Sequence, residues 1–217
     1  MFGKKSPGKS VTEARLVEAA AQLFARNGYK ATSTREIAQL AALNEATLFR
    51  YFPRKPDLFM AALESHLSRI KISRDVQISL AADDHPELVV PKVVVCILNI
   101  LNAQPELQHL VHVAGFELPE SASLIRDHLD PIFDLLSAYV KRGVDRGAIR
   151  DVEPALATLG LLGVVAAHRQ FCELFTGAQS AHSDAEQAVA AYSTMCLHGI
   201  CPDGETARFT DGPPEAP

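Results

Sequence analysis

The stretch STREIAQLAALNEATLFRYF, Ser33 to Phe52, decides the fold. Ser33 with Glu36 three places later is a capping box, and it opens a short helix whose Ile37, Leu40 and Ala41 are expected to face inward. Asn44 is a good N-cap for a second short helix, so Ala41-Ala42-Leu43 is the whole connection between them. Two short helices joined by so tight a turn form a helix-turn-helix, here residues 33–52. On the second helix Leu48 and Phe52 share a face that can pack on Ile37 and on Leu23 and Phe24 upstream. Glu45, Ala46, Thr47, Phe49, Arg50 and Tyr51 are left to face outward. The major groove of DNA accepts such a helix and offers phosphate oxygens, base edges and thymine methyls.

Upstream, Ser10 and Glu13 form another capping box, and apolar residues recur at helical spacing from Leu16 to Phe24. The pattern predicts a helix over 11–27 that stops at Gly28. Residues 1–9, rich in Lys, Gly, Ser and Pro, are expected to be a disordered basic arm, which either adds sequence-blind affinity for DNA or is an idle tail. Downstream, Pro56 can begin a new helix, and the rest reads as helical, near 56–82, 87–103, 105–117, 121–146, 153–175 and 183–199. The β-branched run VVPKVVVCI, Val89 to Ile97, has no second strand to pair with, so it is assigned to a helix. The Pro- and Gly-rich residues 202–217 are expected to be a disordered tail.

The chain has 217 residues, 47% of them hydrophobic, enough for a sizeable core. Its net charge of −5 hides a polarity. Residues 1–57 hold ten Lys or Arg against five acids, and the remainder holds eleven against twenty-one. A small basic module that seeks polyanions and a larger acidic module that does not are implied. The polar opening MFGKKSPGKS is no secretory leader, so the four scattered cysteines are expected to be reduced thiols of a cytoplasmic protein. The longest uncharged apolar run, Ala155 to Ala167, suits a buried helix, and no membrane span is expected.

The stretch Arg15 to Leu63, with AAAQLFARNGY, TSTREIAQLA and NEATLFRYFPRKPDL in order, resembles the DNA-binding domain of the tetracycline-repressor (TetR) family of bacterial transcription regulators along its whole length. The resemblance does not extend by motif beyond residue 70. It implies a homodimer, with the last two long helices of each subunit forming a four-helix bundle and a ligand cavity among the central helices. It also implies that Thr47 and Tyr51 donate to backbone oxygens of DNA and that Lys55 contacts phosphate. The residues themselves add further expected contacts. Arg50 can reach guanine or phosphate, Phe49 a thymine methyl, and Ala46 permits close approach. Ser33 and Thr34 begin a helix whose free N–H groups suit phosphate, Arg35 can add charge or reach a base, and Glu45 can accept only from a cytosine amino group. The sequence departs from the family at Ala42, where Gly is usual, and at Arg54, where a small capping side chain is usual.

The expected architecture is therefore all-α. A three-helix helix-turn-helix DNA-binding domain over 10–70 precedes a larger helical domain over 71–201 for ligand binding and dimerisation. The expected function is that of a repressor that binds a two-fold symmetric duplex operator as a homodimer and is released by a small, largely apolar effector. His112, Phe116, His168 and Cys172 are the candidate effector contacts. The alternatives are a transcriptional activator and a metal-responsive regulator using Cys196, His198 and Cys201, or His109 and His112, although neither spacing is a complete site. No metal or cofactor is assigned. An enzyme is not expected, because G-x-S-x-G, a phosphate-binding Gly loop and H-E-x-x-H are all missing.

Overall fold

The computed structural model describes residues 11–176 and 185–200, and every regular element among them is helical. The basic arm, the Ser10 cap, Cys201 and the tail lie outside these residues. In order come α1 (Val11–Asn27), α2 (Thr34–Leu40), α3 (Glu45–Tyr51), α4 (Lys55–Leu67), α5 (Arg74–Ala81), α6 (Pro86–Ala103), α7 (Pro105–Glu117), a 3-10 turn (Pro119–Ser121), α8 (Ala122–Asp145), α9 (Pro154–Thr176) and α10 (Ala185–Ile200).

The chain divides into two compact units, one of residues 1–71 with 101–129 and one of 72–100 with 130–217. In the first, α1 packs on α2, α4 and α7, and α2 packs on α3. Phe24 and Phe59, both fully buried, centre this core, their rings edge to face at 5.2 Å. Tyr29 joins them at 5.6 and 5.7 Å. From α7, Leu107, Leu110 and Ala114 are buried as well.

Two expectations are corrected. Residues 56–82 are not one helix: α4 stops at Leu67, and Ser73 caps a new helix by accepting from the Val76 N–H at 3.4 Å. No Pro or Gly marks the break; a serine hydroxyl that competes with helix continuation makes it. Leu40 does not face inward but is 51% exposed. Ile37, Ala38 and Ala41 span about 100° of arc, and Leu40 falls about 60° beyond the Ile37 edge at 3.6 residues per turn.

In the second unit Ile72, Val76, Val89, Val93, Leu136 and Ile149 form one core cluster, and Val90, Val94, Leu98 and Val165 another. The β-branched run is helical, within α6. By length and composition alone α6 could cross a membrane. Val89, Val90, Val93 and Val94 are instead buried in these two clusters, and Lys92 near its middle donates to Ser79 at 2.7 Å and pairs with Asp75 at 3.5 Å. Asp83, at φ +54°, anchors the α5–α6 loop by accepting from Arg142 at 2.8 Å and Arg146 at 2.5 Å, which holds its carboxyl below the usual range. Gly143 is required where it stands, because a methyl there would meet the Ile149 side chain at 2.6 Å.

The turn between α2 and α3 closes as a Schellman motif. The Leu43 N–H donates to the Ala38 carbonyl at 2.8 Å, the Ala42 N–H donates to Gln39 at 2.9 Å, and Ala42 takes φ +52°. An L side chain in that region costs on the order of 1 kcal/mol. Ala42 is exposed and loses no packing on truncation. Ala42→Gly is therefore expected to stabilise the protein by up to about 1 kcal/mol, less the entropy Gly adds to the unfolded chain, read as a higher urea midpoint at unchanged slope.

Candidate nucleic-acid interface and apolar cleft

Each end of the helix-turn-helix is fixed by a local bond that the residue types dictate. Ser33 donates its hydroxyl and N–H to the Glu36 carboxylate at 2.7 and 2.8 Å and accepts from the Glu36 N–H at 3.2 Å. These bonds hold the Glu36 carboxyl below its ordinary range. Asn44 accepts from the Thr47 N–H at 2.7 Å. Arg15, on α1, donates to the Ala41 carbonyl at 2.6 Å and holds the turn from behind.

On α3 the two faces separate as the spacing predicts. Leu48 is fully buried and Phe52 7% exposed, whereas Phe49 is 44% exposed and Ala46 and Arg50 are exposed. Glu45, Thr47 and Tyr51 are half-buried, and the Arg50 guanidinium stands 5.4 Å from the Tyr51 ring. Ser33 and Arg35 are exposed and Thr34 half-buried at the start of α2. Thr34 donates its hydroxyl to Glu45 at 2.5 Å. A hydroxyl has one proton, so a phosphate contact by Ser33 or Thr34 requires that proton to swing away from its carboxylate.

Arg54, the N-cap of α4, makes no side-chain cap and instead donates twice to Asp57, at 2.6 and 3.1 Å. Lys55 places its ammonium 4.3 Å from the Tyr29 ring centre. Burial lowers its pKa, and Glu117 and Glu36 oppose that shift. Glu117, at the end of α7, also accepts from the N–H groups of Tyr29 at 3.2 Å and Lys30 at 2.9 Å. Sequence reasoning missed Glu117, Arg15 and Tyr29. Glu117 lies 87 residues from its nearer partner, and no local pattern announces it.

Of the candidate effector residues, His112 and Phe116 belong to the first unit and His168 to the second. His112 and Phe116 are exposed on α7, their rings 4.6 Å apart. His168 is half-buried, its Nδ1 2.7 Å from the Tyr192 hydroxyl. The Cys172 side chain lies outside the described residues. The second unit instead holds a cleft of about 460 Å³ between α6, α8, α9 and α10, with Val90, Leu136, Leu161, Val164 and Met195 in its wall. Its polar side chains are Tyr139, Glu153, Thr158 and Cys196. Among the described residues no three His, Cys, Asp or Glu side chains gather as a metal site. Cys196 is half-buried, with its thiol pKa pushed up by burial, and His198 is exposed.

Residues 16–62, from α1 into α4, match the family described as bacterial regulatory proteins, tetR family. YvkB of Bacillus subtilis, an HTH-type transcriptional regulator, is 47% identical over 57 residues, 26% of this chain and 30% of that protein. The HTH-type transcriptional repressor SCO4008 of Streptomyces coelicolor is 31% identical over 161 residues, 71% of this chain and 76% of that protein. Among solved structures, the transcriptional regulator FadR from Bacillus subtilis in complex with stearoyl-CoA superposes with TM-score 0.66 at 17% identity, covering 86% of this chain and 98% of that one. The likeness to SCO4008 runs well past the helix-turn-helix, so the kinship is of whole regulators and not of one borrowed motif: the chain belongs to the tetR family of bacterial regulatory proteins, DNA-binding transcriptional regulators.

Proposed function

We propose that the chain is a cytoplasmic repressor that binds a two-fold symmetric operator as a homodimer and leaves it when a small, largely apolar molecule occupies the cleft of the second unit. The sorting of α3 carries this reading, with Leu48 and Phe52 turned to the core and Phe49 and Arg50 turned out. A homodimer would set two copies of α3 about 34–36 Å apart, one turn of duplex. Leu159 and Phe171 on α9, 58% and 52% exposed, are apolar surface that a second copy would cover. The relative SCO4008 is named a repressor, and FadR, of the same fold, was solved with stearoyl-CoA. The cleft, apolar but for a few polar groups, suits an acyl chain or another amphipathic ligand.

Within the interface, Arg50 and Phe49 are assigned to base edges and Thr47, Tyr51, Arg35 and Lys55 to phosphates. Ser33 and Asn44 hold the helix starts at the groove, and Ala46 leaves room for it. Anisotropy on duplex from upstream of the protein's own gene, across a salt series, tests the assignment. Lys55→Ala is expected to weaken binding about equally on all sequences and to reduce the salt slope by about 1. Arg50→Ala is expected to cost about 1–3 kcal/mol on the operator and to relax base choice at one or two positions. Equal loss on every sequence would make Arg50 a phosphate contact. A folded wild-type protein without sequence-specific binding at low salt would sink the repressor reading.

A further inference from the structure

Glu45 is the one carboxylate on the helix that meets the groove. The other acid of the motif, Glu36, is engaged by the Ser33 hydroxyl and N–H. Glu45 accepts the Thr34 hydroxyl on Oε1 at 2.5 Å. Thr34 is the first residue of α2 and Glu45 the first of α3, so this bond ties two helix starts together and holds the carboxylate in one orientation. Oε2 remains an acceptor with no proton to give.

The first residues of the second helix in such a motif meet base edges on the groove floor, not phosphates. In the major groove guanine shows two acceptors and thymine an acceptor and a methyl, all unfavourable to a fixed carboxylate. Adenine shows an amino donor beside the N7 acceptor, which repels the same oxygen. Cytosine shows an amino donor without that neighbour.

We propose that Glu45 reads a cytosine amino group at one position in each half-site, with Thr34 as the positioning residue that aims its carboxylate. The proposal rests on α3 being the groove-entering helix. It assigns to the acid a specificity that the phosphate-directed cations Arg35 and Lys55 lack, because a cation on phosphate gains affinity on any sequence and a fixed acceptor gains it on one base.

The test is selection from a randomised duplex pool, followed by anisotropy on the selected operator and its single-base variants, with circular dichroism confirming fold. Wild-type protein is expected to enrich a cytosine at one position per half-site and to lose roughly tenfold or more in affinity when it is replaced. Glu45→Ala should bring the four bases at that position close to parity and leave the other positions unchanged. Glu45→Gln, whose amide both donates and accepts, should move the preference toward adenine. Thr34→Val should soften the cytosine preference without moving it to another base, which loss of helix stability alone would not do. If Glu45→Ala keeps the same base profile, or binds every sequence more tightly by the same factor, the Glu45 assignment fails while the repressor reading stands. If wild-type protein enriches no sequence, both fail.

Discussion

Phe59→Ala is expected to destabilise the protein by about 3–5 kcal/mol, the usual range for a fully buried phenylalanine. Phe59 has no exposed surface, and its ring stands edge to face with Phe24 at 5.2 Å and with Tyr29 at 5.7 Å. Truncation removes its transfer free energy, leaves a cavity between α1 and α4, and forfeits aromatic contacts worth about 0.5–1.5 kcal/mol each beyond burial. Tyr29, whose ring centre is 4.3 Å from the Lys55 ammonium, then loses one of its two ring neighbours. Operator affinity should therefore fall even below the melting temperature. Urea unfolding followed by circular dichroism measures the first effect and anisotropy the second. Phe59→Leu, which keeps most of the volume, should cost about 1.5 kcal/mol or less. If Phe59→Ala loses no more than that, the core can collapse around the gap and the ring is not its keystone.

Gly28→Ala is the second large effect, expected at about 2–3 kcal/mol. Gly28 sits at φ +80°, where a methyl costs about 1 kcal/mol on its own. The added carbon would also lie 2.8 Å from Glu117 Oε1, the oxygen that accepts the Tyr29 N–H. Relief requires Glu117 to swing away, abandoning two charge-assisted bonds. Gly147 provides the internal control, since it sits at φ +71° with open space where a Cβ would go. Gly147→Ala should carry the backbone cost alone, and the difference in urea stability between the two variants measures the Glu117 clamp. Equal losses would mean that the carboxylate moves aside freely.

What the sequence made legible was local. The Ser33–Glu36 capping box, the Asn44 N-cap, Gly28 as a helix stop and the two faces of α3 are set by residues within four positions of one another, and they stand where the spacing places them. The positive φ of Ala42 was legible as a departure from a family pattern. The stop at Leu67 was not, because Ser73 reads equally well as a solvated helix residue until its hydroxyl is seen to accept from Val76. Leu40 was read by composition where the arc of a seven-residue helix decides. Glu117 on the Tyr29 and Lys30 N–H groups, and Thr34 on Glu45, join positions on separate elements. Such pairs carry no periodicity, so they emerge only when the helices are placed.

The placement of α7 in the first unit makes the DNA-reading head a non-contiguous object. A cassette ending near residue 71 carries all the side chains assigned to the groove but omits Leu107, Leu110, Val113 and Ala114, buried on a helix that packs against α1 and α4. It also omits the carboxylate that receives the Tyr29 and Lys30 N–H groups. Excised or grafted onto another effector module, that cassette would present a greasy flank and an unbraced loop. A transplantable head has to bring residues 101–129 with it.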